Sequence, residues 1–119
     1  MIRDYAIRAP GPATPVARLS GGNQQKIVVA RELDRQPAAL IAHQAAWGLD
    51  PGATRLVADR VLALRAAGAA ILHLSSELDE ALDLADRVAV RAEGRIAGIV
   101  ERRAVDLGQI GLWMSGRAA

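Results

Sequence analysis

Ser20, Gly21 and Gly22, followed by Asn23, Gln24, Gln25 and Lys26, are the residues of this chain whose types and spacing could do chemistry. Two glycines behind a serine, directly ahead of a helical pattern, build a surface that can hold phosphate. The first N–H groups of a helix lack intrahelical partners, and the aligned peptide dipoles put partial positive charge at that end. A phosphate fits there. Gly21 and Gly22 let the backbone approach a ligand with no Cβ in the way, and Ser20 can either cap the helix or donate its hydroxyl to a phosphate oxygen. An ordinary helix start after a glycine turn uses the same residue types, so a bare Ser-Gly-Gly does not separate the two readings.

Five other positions carry functional groups at informative places. His43 and Gln44 close a short apolar run. Asp50 stands before Pro51, the spacing of an N-cap with proline at the first helical position. Ser76 is followed three residues later by Asp79, a capping arrangement in which Glu77, Asp79 and Glu80 favour the positive end of a helix. His73, inside an apolar strand pattern, reads as a packed core residue.

The elements that must position these groups follow from periodicity. Met1 to Arg18, with prolines and glycine between Pro10 and Pro15, reads as a loop leading to the glycines. Ile27, Val28, Ala30 and Leu33 give a helical stripe from Asn23 to about Arg35, ended by Pro37. Ala38 to Ala42 reads as a buried strand, Gly48 to Gly52 as a turn, and Ala53 to Ala67 as a helix closed by Gly68. A strand at Ala69 to Leu74, an acidic helix at Glu77 to Ala85, and a hairpin of Arg87 to Arg91 with Ile96 to Val100 follow, before a last helix from about Ala104 to Met114. Trp113 reads as packing on that helix. Alternating helix and strand imply a mostly parallel α/β sheet with a C-terminal antiparallel hairpin.

Composition bounds the function. The 119 residues, 51% apolar and 24% charged, suit one domain, but aromatics are 3% and phenylalanine is absent, so the interior is built from small aliphatic side chains. The net charge of +2 comes without a basic run interleaved with aromatics, which argues against nucleic acid. The lack of cysteine excludes disulfides and thiolate metal sites. The apolar stretch from Val61 to Leu74 is broken by Arg65, Gly68 and His73 and is too short to span a bilayer.

The run Leu19 to Lys26 resembles the signature motif of the ATP-binding-cassette (ABC) ATPases, in the L-S-G-G-N-Q-Q form of importers for sugars and nucleosides. Pro15-Val16, Ala30 to Leu33, Gly48-Leu49-Asp50, Ser75 to Leu78 with Glu80, Asp86-Arg87-Val88, Glu93 to Ile96 and Ile110 to Leu112 also fall in that family's order. Arg8-Ala9-Pro10 and the ending Met114-x-Gly116 resemble a second cassette of nucleoside and simple-sugar importers. The resemblance implies a C-terminal cassette fragment over 1–119, with the end of the helical subdomain in 1–36 and half of the catalytic core in 37–119. Its fold would be a partial P-loop NTPase (RecA-like) core.

Departures from the pattern limit what carries over. Lys26 is the only lysine, preceded by glutamine, so these residues contain no Walker A motif. In the family's fold the missing strand lies between those expected at Ala69 to Leu74 and Arg87 to Arg91. Its removal leaves unpaired backbone rows, and a marginally stable or aggregation-prone chain is expected. Where the family has an aspartate ordering Mg²⁺ and a glutamate polarising water, this chain has His43 and Gln44. Imidazole suits hard Mg²⁺ poorly, and an amide cannot act as a general base. Second cassettes of nucleoside importers are similar in this respect. Ser76 stands at the position of the switch histidine, and Ala45-Ala46-Trp47 replaces Pro-Thr-Arg.

The resemblance therefore implies no intact catalytic residue, with His43, Gln44 and Ser76 degenerate, and no metal ligand in this chain. It implies that Ser20, Gly21, Gly22, Asn23, Gln24 and Asp50 contact ATP held by another ABC cassette, which also holds the Mg²⁺. Membrane permease subunits and a substrate-binding protein are implied partners, and a cytoplasmic, membrane-peripheral location is implied with them. A non-enzymatic remnant or interaction domain is the alternative.

Overall fold

A computed structural model describes residues 1–117 and divides the chain into two compact units, one of Met1–Ser76 and one from Glu77 onward. In the first unit an irregular lead with a short 3-10 turn at Val16–Arg18 runs into helix α1 (Gly21–Leu33), strand β1 (Ala39–His43), helix α2 (Pro51–Ala66) and strand β2 (Ala70–Leu74). α1 starts two residues earlier than the apolar stripe predicts. Ser20 is its N-cap and its hydroxyl accepts the Asn23 N–H, so both glycines fall inside the first turn. The helix ends where Gln36 takes a positive φ ahead of Pro37.

β1 and β2 pair in parallel, with Leu40 beside Ile71, Ile41 beside Leu72 and His43 beside Leu74. Side chains alternate across a sheet, so Leu40 and Ile71 turn to the helices while Ile41 and Leu72 turn away. The core on the helical side joins Val29, Ala30 and Leu33 of α1 to Val57, Val61 and Leu64 of α2. Tyr5 and Ile7 complete it, so the lead, although irregular as expected, also supplies core. Tyr5 is 2% exposed, its hydroxyl donates to Asp34 at 2.9 Å, and the Arg60 guanidinium lies 5.1 Å from the ring centroid.

The second unit holds helix α3 (Leu78–Leu84), the antiparallel pair β3 (Arg87–Ala92) and β4 (Arg95–Glu101), a 3-10 turn at Arg102–Ala104, and helix α4 (Leu107–Met114). α4 begins later than the Ala104 that periodicity suggests, because Asp106 is its N-cap and accepts the Gln109 N–H. Val88, Val90 and Ile110 form the core of this unit, with Trp113 packed on it as expected. Gly98 on β4 lies directly under the Trp113 indole, and a Cβ there would fall inside the ring's van der Waals envelope. The architecture is the expected α/β one, a short parallel sheet plus a C-terminal hairpin.

Candidate functional site

The glycine turn and first turn of α1 form an exposed surface on the first unit. Ser20 and Gly21 are exposed, and a Cβ at Gly21 would meet nothing within 4 Å, so a ligand can reach the backbone there. The Ser20 hydroxyl accepts from the Asn23 backbone N–H at 3.4 Å and from its side-chain amide at 2.9 Å. It therefore caps the helix, and its own proton remains available for donation outward. The N–H groups of Gly21 and Gly22 lie ahead of the first intrahelical bond, which runs from Gln24 to Ser20.

The neighbouring polar side chains brace this turn. Asn23 accepts the Arg8 N–H at 2.9 Å, Gln24 donates to the Leu19 carbonyl at 2.9 Å, and Gln25 donates to the Ala45 carbonyl at 2.8 Å. Lys26 is 8% exposed and donates to the Ala6 carbonyl at 3.0 Å. The bonds from Arg8, Gln25 and Lys26 tie the lead and the loop after β1 to the start of α1, and composition gives no hint of them. Of the six residues expected to contact ATP, Ser20 to Gln24 form one surface, in which the Gln24 amide is directed to its own backbone.

Asp50 caps α2. Its carboxylate accepts the Ala53 N–H at 2.9 Å. That bond holds the carboxyl below the usual carboxylate range against a smaller opposing desolvation, with Lys26, the Gly52 N–H and Arg8 acting in the same direction. Asp50 thus realises the N-cap alternative, and the positive charge of Lys26 and Arg8 acts on it. Gly48 meets Gly22 closely enough that a Cβ on Gly22 would sit 3.6 Å from the Gly48 carbonyl oxygen.

His43 ends β1 and is exposed. Gln44 follows with φ +54°, a conformation uncommon for a residue with a side chain, and its N–H donates to the Leu74 carbonyl at 2.9 Å. Its side-chain amide donates to the Ser76 hydroxyl at 3.1 Å, so two of the three positions expected to be degenerate are joined. The capping role read for Ser76 does not hold. α3 begins at Leu78 with Glu77 as its N-cap residue and no side-chain cap bond, so Ser76 lies one residue too early. His73 lies half-buried in β2, on the sheet side that faces the helices.

This arrangement can place backbone N–H groups and a hydroxyl against an anion. At His43 and Gln44 it presents no carboxylate, and the Gln44 amide cannot act as a base.

No family model matches the chain. Among curated proteins it is 45% identical over 116 residues to the "Guanosine import ATP-binding protein NupO" of Bacillus subtilis (strain 168), covering 98% of the chain and 23% of that protein. The "Nucleoside import ATP-binding protein NupA" of Lactococcus lactis subsp. cremoris is 40% identical, with the same two coverages. A "Ribose import ATP-binding protein" of Rubrobacter xylanophilus is 46% identical over 78% of the chain and 18% of its own length. The chain thus spans less than a quarter of the length of these relatives. Among solved structures, an ATP-binding subunit of an ABC transporter superposes over 97% of the chain and 56% of its own with a TM-score of 0.78 at 21% identity. A dimeric ATP-binding cassette in a post-hydrolysis state with ADP and phosphate superposes over 87% and 45%, with a TM-score of 0.75 at 19% identity. At those identities the two structures speak for the fold.

Proposed function

We propose, from the premise that this chain belongs to the ATP-binding-cassette ATPases, that it is the signature-bearing part of an ATP-binding protein for import of nucleosides or simple sugars. The observation that carries the reading is the open glycine turn at the start of α1, within a stretch that matches a guanosine importer's ATP-binding protein at 45% identity.

Bound ATP would supply the anionic γ-phosphate and the bond to be broken. The fit to this chain is at the phosphate end only. Ser20 offers a hydroxyl proton, Gly21 and Gly22 offer backbone N–H groups at the positive end of a 13-residue helix, and Asn23 fixes the Ser20 oxygen. These donors are held before any ligand arrives, so the electrostatic stabilisation requires little reorganisation. The His43 imidazole does not suit hard Mg²⁺, and the Gln44 amide cannot act as a general base. The reading therefore places the Walker A motif and the Mg²⁺ on another cassette, and makes this chain the contributor of Ser20 to Gln24 in trans. Residues 1–36 then belong to the end of a helical subdomain and 37–119 to half of a catalytic core. Permease subunits and a substrate-binding protein complete the importer, and the work is done at the inner membrane face. Among the described residues no helix is long and apolar enough to cross a membrane.

The test is association of the chain with the Bacillus subtilis guanosine import ATP-binding protein, followed by sedimentation in millimolar Mg²⁺-ATP. ATP-dependent association that Ser20→Arg abolishes is the expected result. No association, or association indifferent to both ATP and Ser20→Arg, overturns the reading in favour of an interaction domain or remnant without nucleotide chemistry.

A further inference from the structure

Lys26 is the only buried charged residue among the described residues, and the phosphate surface described above does not use it. It is 8% exposed, and its ammonium donates to the Ala6 carbonyl at 3.0 Å. None of the ion pairs among the described residues includes it. Taking a charge out of water without a paired carboxylate costs stability, and an apolar side chain of similar length would fill the same space on α1 without that cost. The bond to Ala6 has a visible use. Ala6 has φ +49°, uncommon for a residue with a side chain, and its neighbours Tyr5 and Ile7 are both in the core. Any N–H donor would serve there, which leaves the charge itself to account for.

Helix geometry places that charge. Lys26 lies four residues after Gly22, on the same face of α1. Side chains on a helix point back towards its N-terminus, so Lys26 extends towards the first turn, along a path that Gly22, with no side chain, leaves open. The loop on that side is the one from Gly48 to Asp50. A Cβ on Gly22 would sit 3.6 Å from the Gly48 carbonyl oxygen, and the charge of Lys26 acts on the Asp50 carboxyl and helps to hold it below its ordinary range. Asp50 is exposed and committed to the Ala53 N–H, so it offsets the ammonium only in part. The helix end supplies about half a unit of positive charge, and Lys26 adds a full one behind it, where salt screens it little.

We propose that Lys26 is an electrostatic positioning residue, a buried cation that holds the lead through Ala6 and, from beneath the first turn of α1, strengthens the pull of the Gly21 and Gly22 N–H groups on the terminal phosphate of ATP. This role rests on the function proposed above and deepens it, since Lys26 acts on the nucleotide without touching it.

The chain has one lysine, so 15N at the lysine side chain gives a single Nζ resonance. Unlabelled Bacillus subtilis guanosine import ATP-binding protein is added with Mg²⁺-ATP, and association is measured by sedimentation across a range of salt. The Nζ resonance is expected to shift on ATP-driven association. Lys26→Met is expected to weaken that association about 10-fold at low salt and to flatten its salt dependence, and Lys26→Arg to restore both. A brace without an electrostatic role would leave the salt dependence unchanged. Association that Ser20→Arg abolishes, while Lys26→Met keeps the parent's salt dependence, overturns the role of Lys26 and leaves the function standing. If Lys26→Met loses its far-ultraviolet circular dichroism, the parent chain decides: a shifted Nζ supports the role, and an Nζ that ATP-driven association leaves unmoved overturns it. No ATP-dependent association overturns both.

Discussion

The buried phenol of Tyr5 gives a quantitative test of how the first unit is put together, because Tyr5 is the only tyrosine and its ionisation can be followed alone in the near ultraviolet. Burial, then the hydrogen bond to Asp34 and the carboxylate charge, push the phenol from its ordinary value of 10.0 up to about 12, while Arg60 pulls the other way. At pH ~11 a folded chain should therefore show about 10% phenolate and an unfolded one about 90%. The folded state holds the proton more tightly, so the associated stability is complete below pH 10, the unfolded value, and is lost as pH rises towards 12. Two units correspond to ~2.7 kcal/mol at full value. Solvent reaches the exposed Asp34 end and reduces this to ~1 kcal/mol. Asp34→Ala removes the acceptor and the like charge and should lower the midpoint, whereas Arg60→Gln removes the opposing cation and should raise it. The assay is a spectroscopic titration alongside circular dichroism on the same samples. A midpoint near 10 in folded chain, or variants that move it in the same direction, would refute the packing of Tyr5 between Asp34 and Arg60.

Two further outcomes follow from the geometry. Gly98→Ala drives a methyl into the Trp113 indole and should destabilise the second unit by ~1–3 kcal/mol in denaturant titrations, with Trp113→Ala relieving much of that cost in the double variant. The chain alone should release no phosphate from ATP, and the double replacement His43→Asp with Gln44→Glu should not change this. It restores a metal ligand and a base but supplies no glycine-lysine loop for the phosphates. Turnover by either protein, free of contaminating ATPase, contradicts the reasoning.

The parts of the fold visible in the sequence were those with a local cause. Apolar spacing located α1, α2 and the four strands, and Pro51 behind Asp50 marked the start of α2, where the structure places both at the cap. Boundaries moved where a cap outweighed the stripe, as at Ser20 and Asp106. Ser76 misled because the capping pattern is sound but its hydroxyl is engaged across 32 residues by Gln44, a pairing that no local rule contains. Tyr5 and Ile7 sit in a segment whose prolines and glycines signalled loop; the segment is irregular, and their burial comes from packing on α1 and α2, which no local pattern contains. The turn from Ser20 to Gly22 was legible as a helix start, since its cap resides in consecutive residues. Its braces from Arg8, Gln25 and Lys26 were not, because each reaches a backbone or side-chain partner 15 to 20 residues away.

The pair β1 and β2 connects these observations to stability. Parallel sheets occur almost always with both faces covered, yet here α1 and α2 cover one face while Ile41 and Leu72, neighbours in register, are 74% and 56% exposed on the other. The side chains that hold the strands in place are therefore Leu40, Ala42 and Ile71, all on the helical side and none aromatic. His43 and Gln44 are fixed at the end of this half-covered pair, and the Trp47 loop leaves from it. The braces from α1 compensate: Gln25 holds Ala45, and Gly22 meets Gly48, so the loop is positioned by the signature helix as well as by the strand. A perturbation that loosens β1 should reach His43 and Gln44 first and the Ser20 to Gly22 turn last, because the turn depends on its own cap. The Ser20 to Gly22 turn and the His43-Gln44 end of β1 are thus separable in stability even though one short loop joins them.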